Sequence, residues 1–455
     1  MEGTVPAAGR TETRPPLFSG SALRRLMIPL IIEQLLAMTI GMADTVMVTS
    51  EGEAAVSGVS LVDNISVLLI NVFSALATGG AVVAAQYLGS RDEENACSAA
   101  KQLFYVIGAL SVATMAVCLL FREPILRLVF GALDSEVMEA ALVYFLLTAL
   151  SYPLLAIYNA GAALFRAMGN SRVSMLASLM MNVVNIGLNA ALIFGAGIGV
   201  AGAGFGTLFS RLAGALLMTW LICRPGHVIH IDGLFRPEFR GQMVRKILRI
   251  GVPNGLENGM FRVGKLLVLG LVTPLGTSAT AANAIANSIA GVVNVPGNAI
   301  SLALITVVGQ CMGAGEPRQA VRYTGKLMAV VYGPMGTLCV ILFFTAQSLA
   351  GIFGLTQGAV AMAAEVLRWC SVFSLVFWPA SFSLPNALRA AGDAKFTMVV
   401  SMVSMWVFRI GFSYLLVPEL GLLGVWVAMF IDWIVRAVIF LIRFLSGRWK
   451  TKKVI

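Results

Sequence analysis

The sequence has few charged residues for its size. Of its 455 residues, 12% are Asp, Glu, Lys or Arg, whereas 58% belong to the apolar set. Soluble domains typically carry about 25% charged residues, so these charges are too few to cover a soluble body of this length. An ordinary soluble enzyme is therefore excluded, and so is a disordered or fibrous chain.

Histidine is rare and paired cysteine motifs are missing. The two histidines, His227 and His230, lie in one polar segment with Asp232, and none of the six cysteines forms a C-x-x-C motif. The segment lacks a third metal ligand at a convincing spacing, so a solvated loop explains it better than a metal site. The sequence also contains no G-x-x-x-x-G-K-[ST] phosphate loop. We therefore expect no enzyme, no metal site and no cofactor.

The chain contains instead a series of long apolar segments. They are about 18–25 residues long, the length that a helix needs to cross a bilayer core. The strands of a membrane barrel would be shorter and would alternate in polarity. The sequence therefore predicts an all-α integral membrane protein with twelve transmembrane helices. The predicted spans are 26–48, 54–82, 97–121, 136–158, 172–195, 199–223, 249–273, 277–307, 322–345, 360–386, 397–417 and 421–446.

Basic residues are distributed unevenly among the segments that join these spans. With the N-terminus inside, 24 of the 32 lysines and arginines lie on the inner side, two on the outer side and six within spans. This distribution follows the positive-inside rule. We therefore expect a multi-pass protein of the plasma (bacterial inner) membrane with both termini in the cytoplasm. The net charge of +10 is then explained by the inner membrane surface and not by a nucleic-acid partner.

The second half of the chain repeats motifs of the first half. Because four such pairs occur in the same order at offsets of 222 to 224 residues, chance is a poor explanation. Two copies with an even number of spans have the same orientation in the membrane, as in the parallel halves of some transporters. The pairs are Pro29-x-x-x-Glu33 with Pro253-x-x-x-Glu257, Gln86-x-x-Gly89 with Gln310-x-x-Gly313, Arg166-Ala-x-Gly169 with Arg389-Ala-x-Gly392, and Gly199-x-x-Gly202 with Gly421-x-x-Gly424.

The repeat and the polar segments predict the division of the chain. The predicted parts are a cytoplasmic arm (1–25), an N-lobe (26–223), a cytoplasmic linker (224–248), a C-lobe (249–446) and a basic tail (447–455).

The repeated motifs, together with the Asp44-Thr-Val-Met-Val sequence and the ending that starts at Gly421-Leu-Leu-Gly-Val-Trp426, resemble the multidrug and toxic compound extrusion (MATE) family. The resemblance extends from about residue 24 to residue 450. It implies a V-shaped secondary antiporter that exports organic, cationic, drug-like compounds in exchange for protons or sodium by alternating access. Its partners would be a small organic substrate and the lipid bilayer, and it would function as a monomer. The alternatives are a flippase for lipid-linked oligosaccharides or lipids, and a channel or a transport-incompetent sensor. Flippases of related architecture usually have extra spans or a strongly cationic cavity.

Two acids within the first predicted span are candidates for function. Glu33 and Asp44 are eleven residues apart, about three helical turns, so they share one helix face with Gln34 beside it. Ionisable residues within a span are costly and are most often functional. The alternative is that Asp44 is a structural acid held by hydrogen bonds from a neighbouring helix.

The resemblance also assigns a coupling site to the N-lobe. Members of the family with such a site have a first-span Asp that faces an Asn and a second Asp on the fifth span and a Thr on the sixth. Here the second acid is replaced by Asn189, so Asp44 would bind its ion without another carboxylate. This difference favours protons over sodium as the coupling ion. The corresponding residues are Asp44, Asn185, Asn189 and Thr207.

The seventh predicted span is the most polar of the twelve. Its ionisable and amide residues cannot all face lipid, and two interpretations remain. In the first, Glu257 belongs to an internal ion-pair network with Asp432 and Arg409. In the second, Glu257 is a further acid that binds substrate or ions. The candidate cavity residues on this span are Glu257, Asn258, Arg262 and Lys265.

Overall fold

The regular structure of the chain is entirely helical within the residues that the computed structural model describes, which are 15–131, 133–234, 236, 238–452 and 454–455. This finding confirms the predicted all-α fold. Residues 1–14 of the predicted cytoplasmic arm lie outside the described residues.

The first half of the chain, here the N-lobe, ends shortly before residue 224. A π-helical segment at Ala190–Gly195 extends α7. Its helices are α1 (Gly20–Val48), α2 (Glu53–Gly89), α3 (Glu93–Leu120), α4 (Arg122–Phe130), α5 (Ser135–Leu150), α6 (Tyr152–Ala167), α7 (Ser171–Asn189) and α8 (Gly199–Ile222).

The second half, here the C-lobe, begins with α9, which starts at Gly241 and not at the predicted residue 249. Two π-helical segments, Pro379–Ser383 and Ser404–Gly411, interrupt its later helices. Its helices are α9 (Gly241–Val272), α10 (Thr277–Val293), α11 (Val295–Gly313), α12 (Pro317–Gly351), α13 (Gln357–Val376), α14 (Leu384–Ala390), α15 (Ala394–Val403), α16 (Phe412–Leu420) and α17 (Leu422–Leu445).

These helices combine into twelve spans. Among the described residues, nine helical segments are long and apolar enough to cross a membrane, and the pair α5–α6, bent by 44°, makes a tenth. The other two are α1 and α9, which have 29 and 32 residues and carry ionisable side chains within their length. The fourth span was predicted to end at residue 158, but it continues to Ala167 because the chain bends at Ser151 and remains helical.

The repeated motifs meet across the boundary between the two lobes. The side-chain amide of Gln86 in the N-lobe donates a hydrogen bond of 2.8 Å to the carbonyl of Ala390 in the C-lobe. In the pseudo-symmetric contact, Gln310 donates a hydrogen bond of 2.7 Å to the carbonyl of Ala167. Each glutamine motif of one lobe therefore binds the Arg-Ala motif of the other, which explains why both motifs recur in both halves.

Two glycines allow α2 and α11 to touch at this boundary. A methyl group on Gly89 would overlap the carbonyl oxygen of Gln310, and one on Gly313 would overlap the carbonyl oxygen of Gln86. On the same side of the molecule, Lys246 of α9 donates a hydrogen bond of 2.6 Å to the hydroxyl of Tyr87. These contacts hold the lobes together at the end of α2 that contains Gly89.

Candidate functional site

A polar cavity of about 700 Å³, here the N-lobe cavity, lies between α1, α2, α5, α6, α7 and α8 of the N-lobe and borders α11 of the C-lobe. Five of the residues predicted from the sequence line this cavity, and a sixth, Asn189, is buried beside it. The five are Glu33, Gln34, Asp44, Asn185 and Thr207.

Asp44 lies near the end of α1 and is held by α7. Its side chain is buried, with 9% exposure, and accepts a hydrogen bond of 2.5 Å from the amide of Asn189. Asn185, one turn earlier on the same face of α7, lies beside the same carboxylate. The structure therefore brings together the acid and both amides of the predicted coupling site, while Thr207 of α8 lines the same cavity.

The N-lobe site contains buried oxygen atoms that lack a partner. The Oδ1 atoms of Asn185 and Asn189 and the Oγ1 atom of Thr207 have no hydrogen-bond partner among the described residues. An amide oxygen is an acceptor, and a hydroxyl can accept as well as donate. Since both amide side chains lie beside a buried carboxylate and the hydroxyl lines the same cavity, the site has the chemistry to receive a proton or a small cation.

The site also contains an acid and a base that the sequence analysis did not single out. Asp63 of α2 accepts a hydrogen bond of 3.3 Å from the hydroxyl of Tyr144. Asp63 and Arg211 of α8 both lie close enough to Asp44 to interact with its charge. The prediction that Asp44 has no carboxylate neighbour is therefore wrong, because α2 supplies one. Asp63 and Arg211 could have been found from the sequence, because they lie inside the predicted spans 54–82 and 199–223. Any ionisable residue within a span is a candidate for function.

Glu33, the other predicted acid of α1, is part of an ion pair. Its Oε1 atom lies 2.8 Å from a guanidinium nitrogen of Arg166, and its Oε2 atom accepts a hydrogen bond of 2.6 Å from Ser174. The C-lobe contains the equivalent pair, with 2.6 Å between Arg389 and Glu257. Both pairs join residues of the repeated motifs, so they are a structural feature that the two lobes share.

Glu257 has a second basic neighbour that Glu33 lacks. A guanidinium nitrogen of Arg436 lies 3.7 Å from the carboxylate of Glu257, and Arg409 forms a separate contact of 3.9 Å with Asp432. Glu257 therefore takes part in ion pairs, as the first interpretation predicts. Its direct partners, however, are Arg389 and Arg436 and not Arg409. It was predicted as a cavity residue, but it is not among the residues that line the C-lobe cavity.

The C-lobe has its own cavity, of about 590 Å³. The other three candidates of α9, Asn258, Arg262 and Lys265, line it together with Arg409. Gln34 lines both cavities, as do Asn71 and Asn298 in the contact region of the lobes. The two cavities therefore adjoin each other through a set of amide side chains.

The described part of the chain holds no group of three or more His, Cys, Asp and Glu side chains that could bind a metal ion. His230 and Asp232 of the predicted linker form a contact of 3.2 Å, and Cys97 lies next to this histidine.

Two repeated six-helix bundles with two adjoining polar cavities define the class of the protein as a multi-pass membrane transporter. A family model described as MatE matches residues 29–191 and 253–415. The two matched regions begin 224 residues apart, which is the offset of the repeated motifs. The chain belongs to this family, and its members are transporters, not enzymes.

Relatives and solved structures match over almost the whole chain. Probable multidrug resistance protein NorM of Thermotoga maritima is 27% identical over 444 residues, covering 95% of this chain and 94% of that protein. Uncharacterized transporter YisQ of Bacillus subtilis is 27% identical over 456 residues and covers 97% and 98%. The structure described as the outward-facing conformation of a multidrug resistance MATE family transporter of the MOP superfamily has a TM-score of 0.88 at 22% identity, covering 95% and 96%. The structural likeness confirms the two-lobed fold.

Proposed function

We propose that this protein is a secondary antiporter that exports organic compounds in exchange for protons. The names of several relatives as multidrug resistance proteins support export of drug-like compounds. The observation that supports ion coupling is the buried carboxylate of Asp44 in the N-lobe cavity, with a second carboxylate nearby and unpartnered oxygens around it.

The charges of the N-lobe site favour one proton. Once Glu33 is paired with Arg166, the remaining ionisable side chains that line the cavity are Asp44, Asp63 and Arg211. Their formal charges sum to −1, so one proton makes the site neutral. A sodium ion would have to enter beside the guanidinium group, which repels it, whereas a proton binds directly to a carboxylate oxygen. This difference supports protons over sodium.

Protonation would act through α1. The Asp44 carboxylate holds α1 to α7 through Asn189, and a neutral carboxyl group accepts weaker hydrogen bonds than a carboxylate. The beginning of α1 is attached to the C-lobe, because the backbone of Phe18 exchanges hydrogen bonds of 2.9 and 2.8 Å with the hydroxyl of Tyr323. A change in the packing of α1 therefore affects both lobes, as a two-state transporter requires.

The predicted orientation of the chain determines to which side of the membrane this conformation opens. With both termini in the cytoplasm, α2 runs inward and Gly89 lies at the cytoplasmic end. The contacts between the lobes are then on the cytoplasmic side, and this conformation corresponds to the outward-facing state of a transporter in the plasma membrane. We propose that a single copy is the functional unit, because one chain contains both repeated halves.

The test is dye transport into vesicles that contain the purified protein and have the membrane potential clamped. The probes are rhodamine 6G, a cation, and fluorescein, an anion with the same ring system. We expect an acidic lumen to drive accumulation of at least one dye, measured after filtration at a fixed pH. Asp44→Asn should abolish this accumulation. Asp134→Asn is the matched control, since Asp134 is exposed and its side chain makes no capping hydrogen bond to α5.

Two results would contradict the proposal. Accumulation by Asp44→Asn equal to that of the unaltered protein would remove Asp44 from the coupling site. Accumulation driven by a sodium gradient at equal pH, with no response to a pH gradient, would exclude protons as the coupling ion.

A further inference from the structure

The C-lobe cavity has basic residues in its wall and no acidic residue. Among the described residues that line it, Arg262, Lys265 and Arg409 are basic, and Asp and Glu are both absent. The N-lobe cavity differs, because three acids and two bases line it. The two cavities therefore have opposite polarity, although the lobes share one fold.

The acids nearest to this cavity are already engaged. Glu257 contacts two arginines from α14 and α17, and Asp432 contacts Arg409 and accepts a hydrogen bond of 2.5 Å from Ser404. Arg262 and Lys265 have no acidic partner within the described part of the chain. They are three residues apart on α9, hence neighbours on the helix surface. The cavity thus presents two basic side chains that form no ion pair with a carboxylate of the described residues.

Buried hydrogen-bond donors point to the same ligand chemistry. Within the described residues, the Nε atom of Arg409 and the Nε1 atom of Trp433 have no acceptor, and both residues line the cavity. Both atoms can only donate. An unsatisfied buried donor is costly, and an anionic oxygen in the cavity would satisfy it. One acceptor in the same wall, the Oδ1 atom of Asn294, also has no partner among the described residues.

Aromatic rings form much of the remaining wall. The rings of Trp378 and Phe382 stack with 5.1 Å between their centroids, and Phe382 meets the edges of Phe261 and Trp433 at 6.1 and 5.9 Å. Lys265 lies 5.4 Å from the centroid of the Phe261 ring. Ring surfaces of this kind stack on planar ligands.

We infer that the C-lobe cavity binds an organic anion that combines an aromatic ring with an acidic group such as a carboxylate. Guanidinium groups match carboxylate geometry, and the cavity volume of about 590 Å³ is in the range of small-molecule sites. This inference rests on the proposed export function and specifies its substrate class. It differs from the cationic substrate that the family resemblance implies, because a cation would meet like charge and no carboxylate.

The test is a binding measurement on the purified full-length protein in nanodiscs of zwitterionic lipid. Fluorescence anisotropy of fluorescein and of rhodamine 6G measures the affinity of the protein for an anionic and for a cationic dye with the same ring system. Empty nanodiscs correct for dye that binds to the lipid. We expect fluorescein to bind more tightly. Arg262→Gln and Lys265→Gln should each weaken fluorescein about tenfold or more, the usual value of a charge-assisted hydrogen bond. Both variants should bind rhodamine 6G as tightly as the unaltered protein does, or more tightly.

The matched controls are Arg318→Gln and Lys395→Gln, which remove the same charges from exposed positions, and they should leave fluorescein binding unchanged. Lys265→Arg keeps the charge and should retain most of the affinity, which separates loss of charge from loss of folding. Unchanged fluorescein binding in both glutamine variants would overturn the inference, as would tighter binding of rhodamine 6G by the unaltered protein.

Competitors separate an aromatic anion from a lipid-linked pyrophosphate. Displacement of fluorescein by 1-naphthoate, but not by acetate or inorganic pyrophosphate, supports the inference. Displacement by pyrophosphate but not by 1-naphthoate would overturn it in favour of a flippase site. Proton coupling is tested by transport of the Asp44→Asn variant, whereas the anion site is tested by fluorescein binding of Arg262→Gln and Lys265→Gln, so failure of one and failure of the other give different results.

Discussion

Replacing Gly313 by alanine should open the contact between the lobes. Gly313 lies at the end of α11, where α2 of the other lobe passes without an intervening side chain. The new methyl group would lie 2.7 Å from the Cα atom of Gln86 and overlap its carbonyl oxygen. These are backbone atoms, so no rotation of a side chain can relieve the overlap. The helices must separate instead.

The energetic cost follows from the contacts that separation breaks. Overpacking of a tight contact costs about 1–3 kcal/mol. Separation also weakens the hydrogen bonds of Gln86 and Gln310 to the opposite lobe, each worth about 0.5–1.5 kcal/mol. The sum is roughly 2–6 kcal/mol, and each 1.4 kcal/mol is a factor of ten in population. The closed arrangement should therefore lose at least about 30-fold in population relative to an arrangement open on this side.

Distances between spin labels measure this change. Labels at Arg172→Cys and Lys395→Cys, two exposed positions at the beginnings of α7 and α15, report on the separation of the lobes in a background that lacks the six native cysteines. The Gly313→Ala variant should show a new population at longer distance. Gly325→Ala is the matched control, because nothing lies within 4 Å of its added methyl group. An unchanged distance distribution in Gly313→Ala would refute the reasoning, and so would an equal shift in the control.

Two further substitutions test the N-lobe. Gly206→Ala places a methyl group 2.9 Å from the Cγ atom of Asn189, so it should reduce proton-driven dye transport while fluorescein binding stays normal. Gly187→Ala, with open space around it, should reduce neither, and equal transport by the two variants would contradict the role of Asn189. Arg166→Met leaves the buried carboxylate of Glu33 without its charged partner, which typically costs about 3–5 kcal/mol. Thermal unfolding should show this loss, with partial recovery on adding Glu33→Gln, and an unchanged unfolding temperature would argue against the ion pair.

The sequence was sufficient to predict the fold because the two signals involved do not depend on how the helices pack. Span length depends only on the thickness of the bilayer, and the parallel arrangement of the lobes follows from motifs repeated at a constant offset. The contact of Gln86 with Ala390 could not be predicted, since the repeat shows only that both motifs matter and not that they bind each other across the lobes. The bend at Ser151 was not predicted, although Pro153 in the first turn of α6 was an available signal.

The candidate site was predicted in part, and the omissions have a physical reason. Asp44, Asn185 and Asn189 were found because they share faces of two helices, a relation that helical periodicity reveals. Asp63 and Arg211 come from other helices, and their proximity to Asp44 depends on how the bundle packs. Periodicity within one helix contains no information on such neighbours. Treating every ionisable residue within a span as a candidate would have included both.

The opposite polarity of the two cavities determines how much of the proton-motive force the proposed cycle can use. Export of a monovalent anion with uptake of one proton moves two positive charges inward. One charge crossing 100 mV is worth about 2.3 kcal/mol, so the membrane potential contributes about 4.6 kcal/mol, or roughly a two-thousandfold gradient. Exchange of one proton for a monovalent cation moves no net charge and gains only the pH difference. The unpaired charges of Arg262 and Lys265, by selecting the sign of the substrate, would therefore also make export responsive to the membrane potential.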